Sequence, residues 1–150
     1  MTDEAAAIVQ DLDAEGRLYA DMLGLARSQR EAVARKDYEA VASLLDRKQA
    51  LMERIEAIEK RLGPAKQGWP ELKARLSEEE VRAVQARVEA VGATLKLLMA
   101  EEEGVRADLA RMQNSVGAEL RNLMQSRKGT KAYGGPGVGK PDPRFFDRKE

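Results

Sequence analysis

The sequence predicts an all-α fold: an elongated antiparallel coiled-coil bundle of three, or four, long helices with a flexible C-terminal tail. Three observations predict it. Apolar residues recur at spacings of three and four along most of the chain, the period of a helix seam. Hydrophobic residues make up 43% and charged residues 35%, with both signs interspersed, which suits long helices with one wet face. The aromatics are Tyr19, Tyr38, Trp69, Tyr133, Phe145 and Phe146, too few to fill a thick core but enough for a narrow seam. The expected division is a bundle over 1–128 and a tail over 129–150.

The first helix is expected over about 3–36. Ile8, Leu12, Tyr19, Met22, Ala26 and Val33 share one stripe, widened by Leu18, Leu23 and Leu25, and Thr2 or Asp3 can cap its start. Gly16 and Gly24 either weaken this helix or permit a close helix contact. Asp37 follows Arg35 and Lys36 and has N-cap chemistry, so a second helix is expected over 37–62, with one kinked helix through Asp37 as the alternative. Its seam is Val41, Leu44, Lys48, Leu51, Ile55, Ile58 and Leu62. Lys48 is the one polar residue on it, expected either to snorkel outward or to fix register.

Gly63-Pro64 is expected to stop the second helix, and 63–70 to form a loop pinned over the bundle end by Trp69. One helical turn can follow over 71–76. Ser77-Glu78-Glu79-Glu80 fits a capping box and opens a third long helix over 77–127. The third seam runs Val81, Val84, Val88, Val91, Leu95, Leu98, Glu102, Val105, Leu109, Met112, Val116, Leu120 and Leu123. Glu101-Glu102-Glu103-Gly104 interrupts it and reads as a solvated stretch or a bend. The tail holds Gly and Pro without periodicity and ends near a Phe145-Phe146 pair that could serve as a docking element.

Several functions lack their residues. Net charge is zero, 26 positive against 26 negative, so no basic footprint for nucleic acid exists. Histidine and cysteine are absent, which removes the usual bases, thiol nucleophiles and soft metal ligands. Gly134 to Lys140 matches the letters G-x-x-x-x-G-K, but Pro141 stands where a phosphate loop needs Ser or Thr, and no strand precedes it. No catalytic, cofactor-binding or metal site is expected, and no membrane insertion: no apolar run nears the ~18 residues of a membrane span.

The run from Leu25 through Asp37 and Lys48 to Ile58 resembles the FlgN family of flagellar export chaperones. In that family a first helix closes with an Asp and a helix of the form D-x-x-x-L-x-x-L-x-x-x-K-x-x-L-x-x-x-I follows. Asp37, Val41, Leu44, Lys48, Leu51 and Ile55 occupy those places here. A long third helix and Tyr133-Gly134-Gly135 extend the resemblance to about residues 8–137. The chain departs where Glu101 to Gly104 replaces the Asn-Gly-rich sequence common in the family; the relative FliT shares the Asp-turn-helix layout. The resemblance implies a cytoplasmic chaperone without enzymatic activity or cofactor. It would bind hook-associated proteins (FlgK/FlgL-like) and deliver them to the flagellar export gate. Client contacts in the family belong to the C-terminal part, and the tail tyrosine, here Tyr133, is associated with gate docking.

The residues give that expectation a physical form. Val105, Leu109, Met112, Val116, Leu120 and Leu123 make an apolar stripe able to receive a partner helix, with Met112 and Met124 as deformable contacts. The rival reading is a structural coiled-coil scaffold whose long seam is covered by copies of itself; a homodimer is left open.

Overall fold

A computed structural model describes residues 1–126, and these are helical almost throughout. The helices are α1 (Asp3–Ala34), α2 (Tyr38–Gln67), the short α3 (Trp69–Arg75) and α4 (Glu78–Ser126). Three are long, as expected, and the fourth is a seven-residue connector. The tail of 127–150, with Tyr133, Phe145 and Phe146, and the side chain of Met124 lie outside the described residues.

α1 is the hub. It packs closely along both α2 and α4, and it buries twelve residues where α2 buries five. Cross-helix pairs give the directions. Asp11 meets Arg61, Tyr19 meets Glu59 and Gln29 meets Lys48, so α2 runs antiparallel to α1. Thr2 meets Glu80, Asp13 meets Arg87 and Arg30 meets Asp108, so α4 runs parallel to α1. The core follows α1 through Ile8, Leu12, Tyr19, Met22 and Ala26, closed by Ile55, Ile58 and Leu62 from α2 and by Val84, Leu98, Val105 and Leu109 from α4. Val88, expected on the seam, is 52% exposed instead. Gly16 stands where an added Cβ would meet Val91 at 3.5 Å, an ordinary contact, and Gly24 faces open space.

The α1–α2 connection is a tight corner, not a kinked continuous helix. The Asp37 amide donates to the Ala32 carbonyl at 2.9 Å and the Lys36 amide to the Val33 carbonyl at 3.0 Å. That is a Schellman closure with Lys36 at the left-handed position, φ 60°. Asp37 then caps α2 by accepting from the Ala40 amide at 3.2 Å. The same residue ends one helix and starts the next.

Gly63-Pro64 does not stop α2, contrary to expectation; the helix continues through both to Gln67, and Trp69 opens α3. A proline inside a helix costs about 3 kcal/mol. Here that cost is offset by what the continued helix brings to the core: Leu62 and Leu72 are buried, with Ala65, Trp69 and Leu76 packed beside them. The carbonyl that Pro64 cannot satisfy belongs to Lys60, on the exposed side of α2, where water can reach it. Trp69 packs at this end of the bundle, the packing role expected of it.

The capping box forms as its letters require. Glu80 N–H donates to Ser77 Oγ at 3.1 Å and Ser77 N–H donates to Glu80 Oε1 at 2.9 Å. Glu80 also accepts from the Thr2 amide at 2.5 Å, tying the start of α1 to the start of α4. These donors hold the Glu80 carboxyl down at about 2, against an ordinary value of 4.5. A depressed acid contributes stability that is fully present above pH 4.5 and fades as pH falls toward 2. Urea denaturation across that window should show a slope for the native chain that Glu80→Gln reduces. Lys36→Gly should stabilise the chain by about 1 kcal/mol in the same assay, because glycine enters the left-handed region without a Cβ clash.

Candidate functional site

Two features stand out in the half of the bundle near the α1–α2 corner. The first is a polar cluster inside the seam. Lys48 is fully buried, so it does not snorkel outward. Its Nζ donates to Gln29 Oε1 at 2.8 Å and to Glu102 Oε1 at 2.6 Å. Gln29 is also fully buried and donates from Nε2 to the Val41 carbonyl at 3.4 Å. One ammonium therefore links α1, α2 and α4. Burial pushes the Lys48 ammonium below the usual lysine value, and the neighbouring Glu102 carboxylate opposes that shift. Burial likewise pushes the Glu102 carboxyl up, against the pull of Lys48 and Arg106. Both groups bear a desolvation cost that their short contact only partly returns.

The Glu101–Glu103 block is correspondingly not a solvated stretch. Glu101 accepts from Arg30 at 3.3 Å, Glu102 holds Lys48, and only Glu103 is exposed. Nor does Gly104 end the helix: α4 runs unbroken from Glu78 to Ser126. Gly104 makes room. A Cβ there would lie 2.5 Å from Nη1 and 2.6 Å from Cζ of Arg30, whose guanidinium crosses α4 at this point. Arg30 continues to Asp108 at 2.8 Å, and Arg111 pairs with the same carboxylate. Sequence reasoning placed Lys48 and Glu102 separately on two seams and did not pair them. The signal was there, since each is the one charged residue on its stripe. Gln29, Arg30 and Asp108 carried no such signal, because nothing in a helical period says which surface arginine will cross a glycine.

The second feature is the apolar stripe on α4. Val105 and Leu109 are 1% and 3% exposed and belong to the bundle core, so in this arrangement they face α1 and are not open to a partner. Met112 is half-buried and is the last α4 residue packed against the core. Val116, Leu120 and Leu123 are half-buried like Met112 but do not belong to the core cluster. α1 has ended at Ala34 and α2 begins at Tyr38. Those ends form, with Arg30, Asp108, Arg111, Met112 and Ser115, an open groove of about 320 Å³ beside the last core residue. Beyond Met112, α4 continues for fourteen residues to Ser126, roughly 21 Å at 1.5 Å per residue. The stripe expected from sequence is thus split: two residues are core, one is the boundary, and three lie past it.

The family description "FlgN protein" matches residues 1–140. The chain belongs to the FlgN family. FlgN proteins are chaperones of flagellar assembly and export, not a family of enzymes, and the match spans every described helix. No curated protein and no solved structure matches the chain. Among the described residues, no helix is long and apolar enough to cross a membrane. For this FlgN chain the Asp37 cap and Lys48, which carried the resemblance in sequence, have distinct physical work: the first makes the corner, the second joins three helices.

Lys48→Met alone should destabilise the chain by about 3 kcal/mol, because Glu102 would be left in the seam without its cation. Lys48→Met/Glu102→Leu should recover most of that loss, since an apolar pair has no charge to desolvate. A double-mutant cycle from urea midpoints measures both.

Proposed function

We propose that this chain is a cytoplasmic export chaperone that holds a helical end segment of a hook-associated protein (FlgK/FlgL-like) and delivers it to the flagellar export gate. Family membership supports the chaperone role. The observation that carries the client site is the continuation of α4 past the ends of α1 and α2, with Val116, Leu120 and Leu123 on one side of it and outside the core cluster. Residues at spacings of three and four on one helix are what an amphipathic partner helix needs for its own stripe. Met112, at the boundary, has an unbranched side chain that can repack around different partners. The client surface is accordingly Met112, Val116, Leu120 and Leu123; Val105 and Leu109 serve it from within, by holding the base of the overhang. Gate docking is assigned to Tyr133 on the resemblance, with the Phe145-Phe146 pair as a further docking element, both outside the described residues.

Truncation after Gln113 removes the overhang and leaves the core residues of α4 in place. The truncated chain should keep its cooperative unfolding and lose the complex with the terminal segment of a hook-associated protein, measured by isothermal calorimetry. Val116→Glu/Leu120→Glu in the full chain should weaken that complex at least about tenfold, because each charge must be desolvated against an apolar client face. Full retention of binding by either chain would remove the surface proposed. Light scattering of the purified protein tests the other occupant: a stable high-order assembly without client affinity would make α4 the seam of a scaffold.

A further inference from the structure

The cluster of Lys48, Glu102, Arg30 and Gly104 has a consequence for where α4 sits. The Schellman corner at Lys36-Asp37 already aligns α1 with α2. What remains free to slide is α4, joined to that hairpin only through the short α3. The middle of its seam is almost indifferent to a slide of one heptad. Leu98, Val105 and Met112 succeed one another at sevens, as do Leu95, Glu102, Leu109 and Val116. Between Val91 and Leu109 a shift of seven residues leaves the seam apolar, except that Glu102 moves away and Leu95 or Leu109 arrives opposite the buried Lys48; at the seam's ends the shift also brings Ser77 to the place of Val84 or Glu119 to that of Met112. The same shift brings Leu97 or Arg111 to the place of Gly104, where a Cβ would push aside the Arg30 guanidinium, the end of a flexible and part-exposed side chain. Of the other α1–α4 polar contacts, Asp13 with Arg87 is part-exposed and discriminates little, whereas the buried Glu80 opposes the slide at the far end, where Lys73 or Arg87 would replace it beside the Thr2 amide.

We infer that the buried Lys48–Glu102 pair is a register lock that selects one alignment of α4 on the α1–α2 hairpin, and so sets how much of its apolar stripe emerges from the bundle. One heptad is about 10 Å of helix and carries two seam positions. A slip in one direction draws Met112 and Val116 into the bundle; a slip in the other releases Val105 and Leu109. These are positioning residues, and the meaning for a client rests on the function proposed above. The lock itself does not.

The test needs no client, so its failure would leave the chaperone reading standing. The chain has no cysteine, so Arg27→Cys on α1 and Lys96→Cys on α4, both exposed, accept spin labels without a background. Pulsed dipolar spectroscopy should give one distance in the otherwise native chain. Adding Arg30→Ala, Lys48→Met and Glu102→Leu should preserve helicity and add a second distance population, corresponding to about 10 Å of axial slip. Swapping the charges instead, Lys48→Glu/Glu102→Lys with Arg30 retained, should return the single native distance. A triple variant with one unchanged distance would overturn the lock. So would a triple variant that fails to fold, because the cluster would then be a stabiliser and not a selector of register.

Discussion

A lysine ammonium buried in a helix seam must find an anion, and Lys48 finds Glu102 at 2.6 Å across from the third long helix. The alignment of α4 on the α1–α2 hairpin answers to that constraint at one end and to the Thr2–Glu80 tie at the other. Leucines and valines repeated at sevens make a strong but nearly periodic attraction, which holds helices together without saying where along their length. A charge that can be satisfied at one offset and nowhere else removes the ambiguity. Gly104 leaves room for the Arg30 guanidinium to cross α4 beside this pair.

With the offset settled, the unequal lengths of the helices acquire meaning. α1 and α2 contain 32 and 30 residues, and α4 contains 49. α1 and α4 start together, tied by Thr2 and Glu80, so the whole excess appears at one end. The excess emerges beside the α1–α2 corner, where the Schellman closure and the Asp37 cap turn the chain within three residues, so neither α1 nor α2 follows α4 outward. A chaperone that shields a helical terminus needs a structured apolar surface of this kind, firm at its base and unfilled toward its tip. The core residues Val105 and Leu109 hold the base of that overhang, and the residues past Met112 are the client surface proposed above.

The two ends of the bundle are stabilised by different means. Near the start of α1, a capping box, an inter-helix hydrogen bond to the Thr2 amide, and the exposed pairs Asp11–Arg61 and Glu4–Arg75 share the load. Exposed pairs of this sort contribute little each, at most about 1 kcal/mol. α3 and the extended α2 close that end with Leu62, Leu72 and Trp69. Near the corner, polar groups are buried in the seam itself. The end that carries the proposed client surface is thus the end whose interior is costliest to assemble and most exact in its alignment.

From sequence alone came the all-α class, three long helices, the Asp37 boundary, the Ser77–Glu80 capping box, the FlgN resemblance and the apolar stripe of α4. All of these rest on local periodicity, on capping chemistry or on the order of such features along the chain, and none needs a partner element. The tertiary structure decided what depends on neighbours. Gly63-Pro64 remained helical because Leu62 and Leu72 gained a core on either side of it. Val88 lay outside the packing that its heptad position promised. Glu101 and Glu102 turned inward because Arg30 and Lys48 were waiting on other helices. Where the stripe of α4 passes from core to overhang was likewise invisible in the letters, because a helix period records which side is apolar and not how far the neighbouring helices reach.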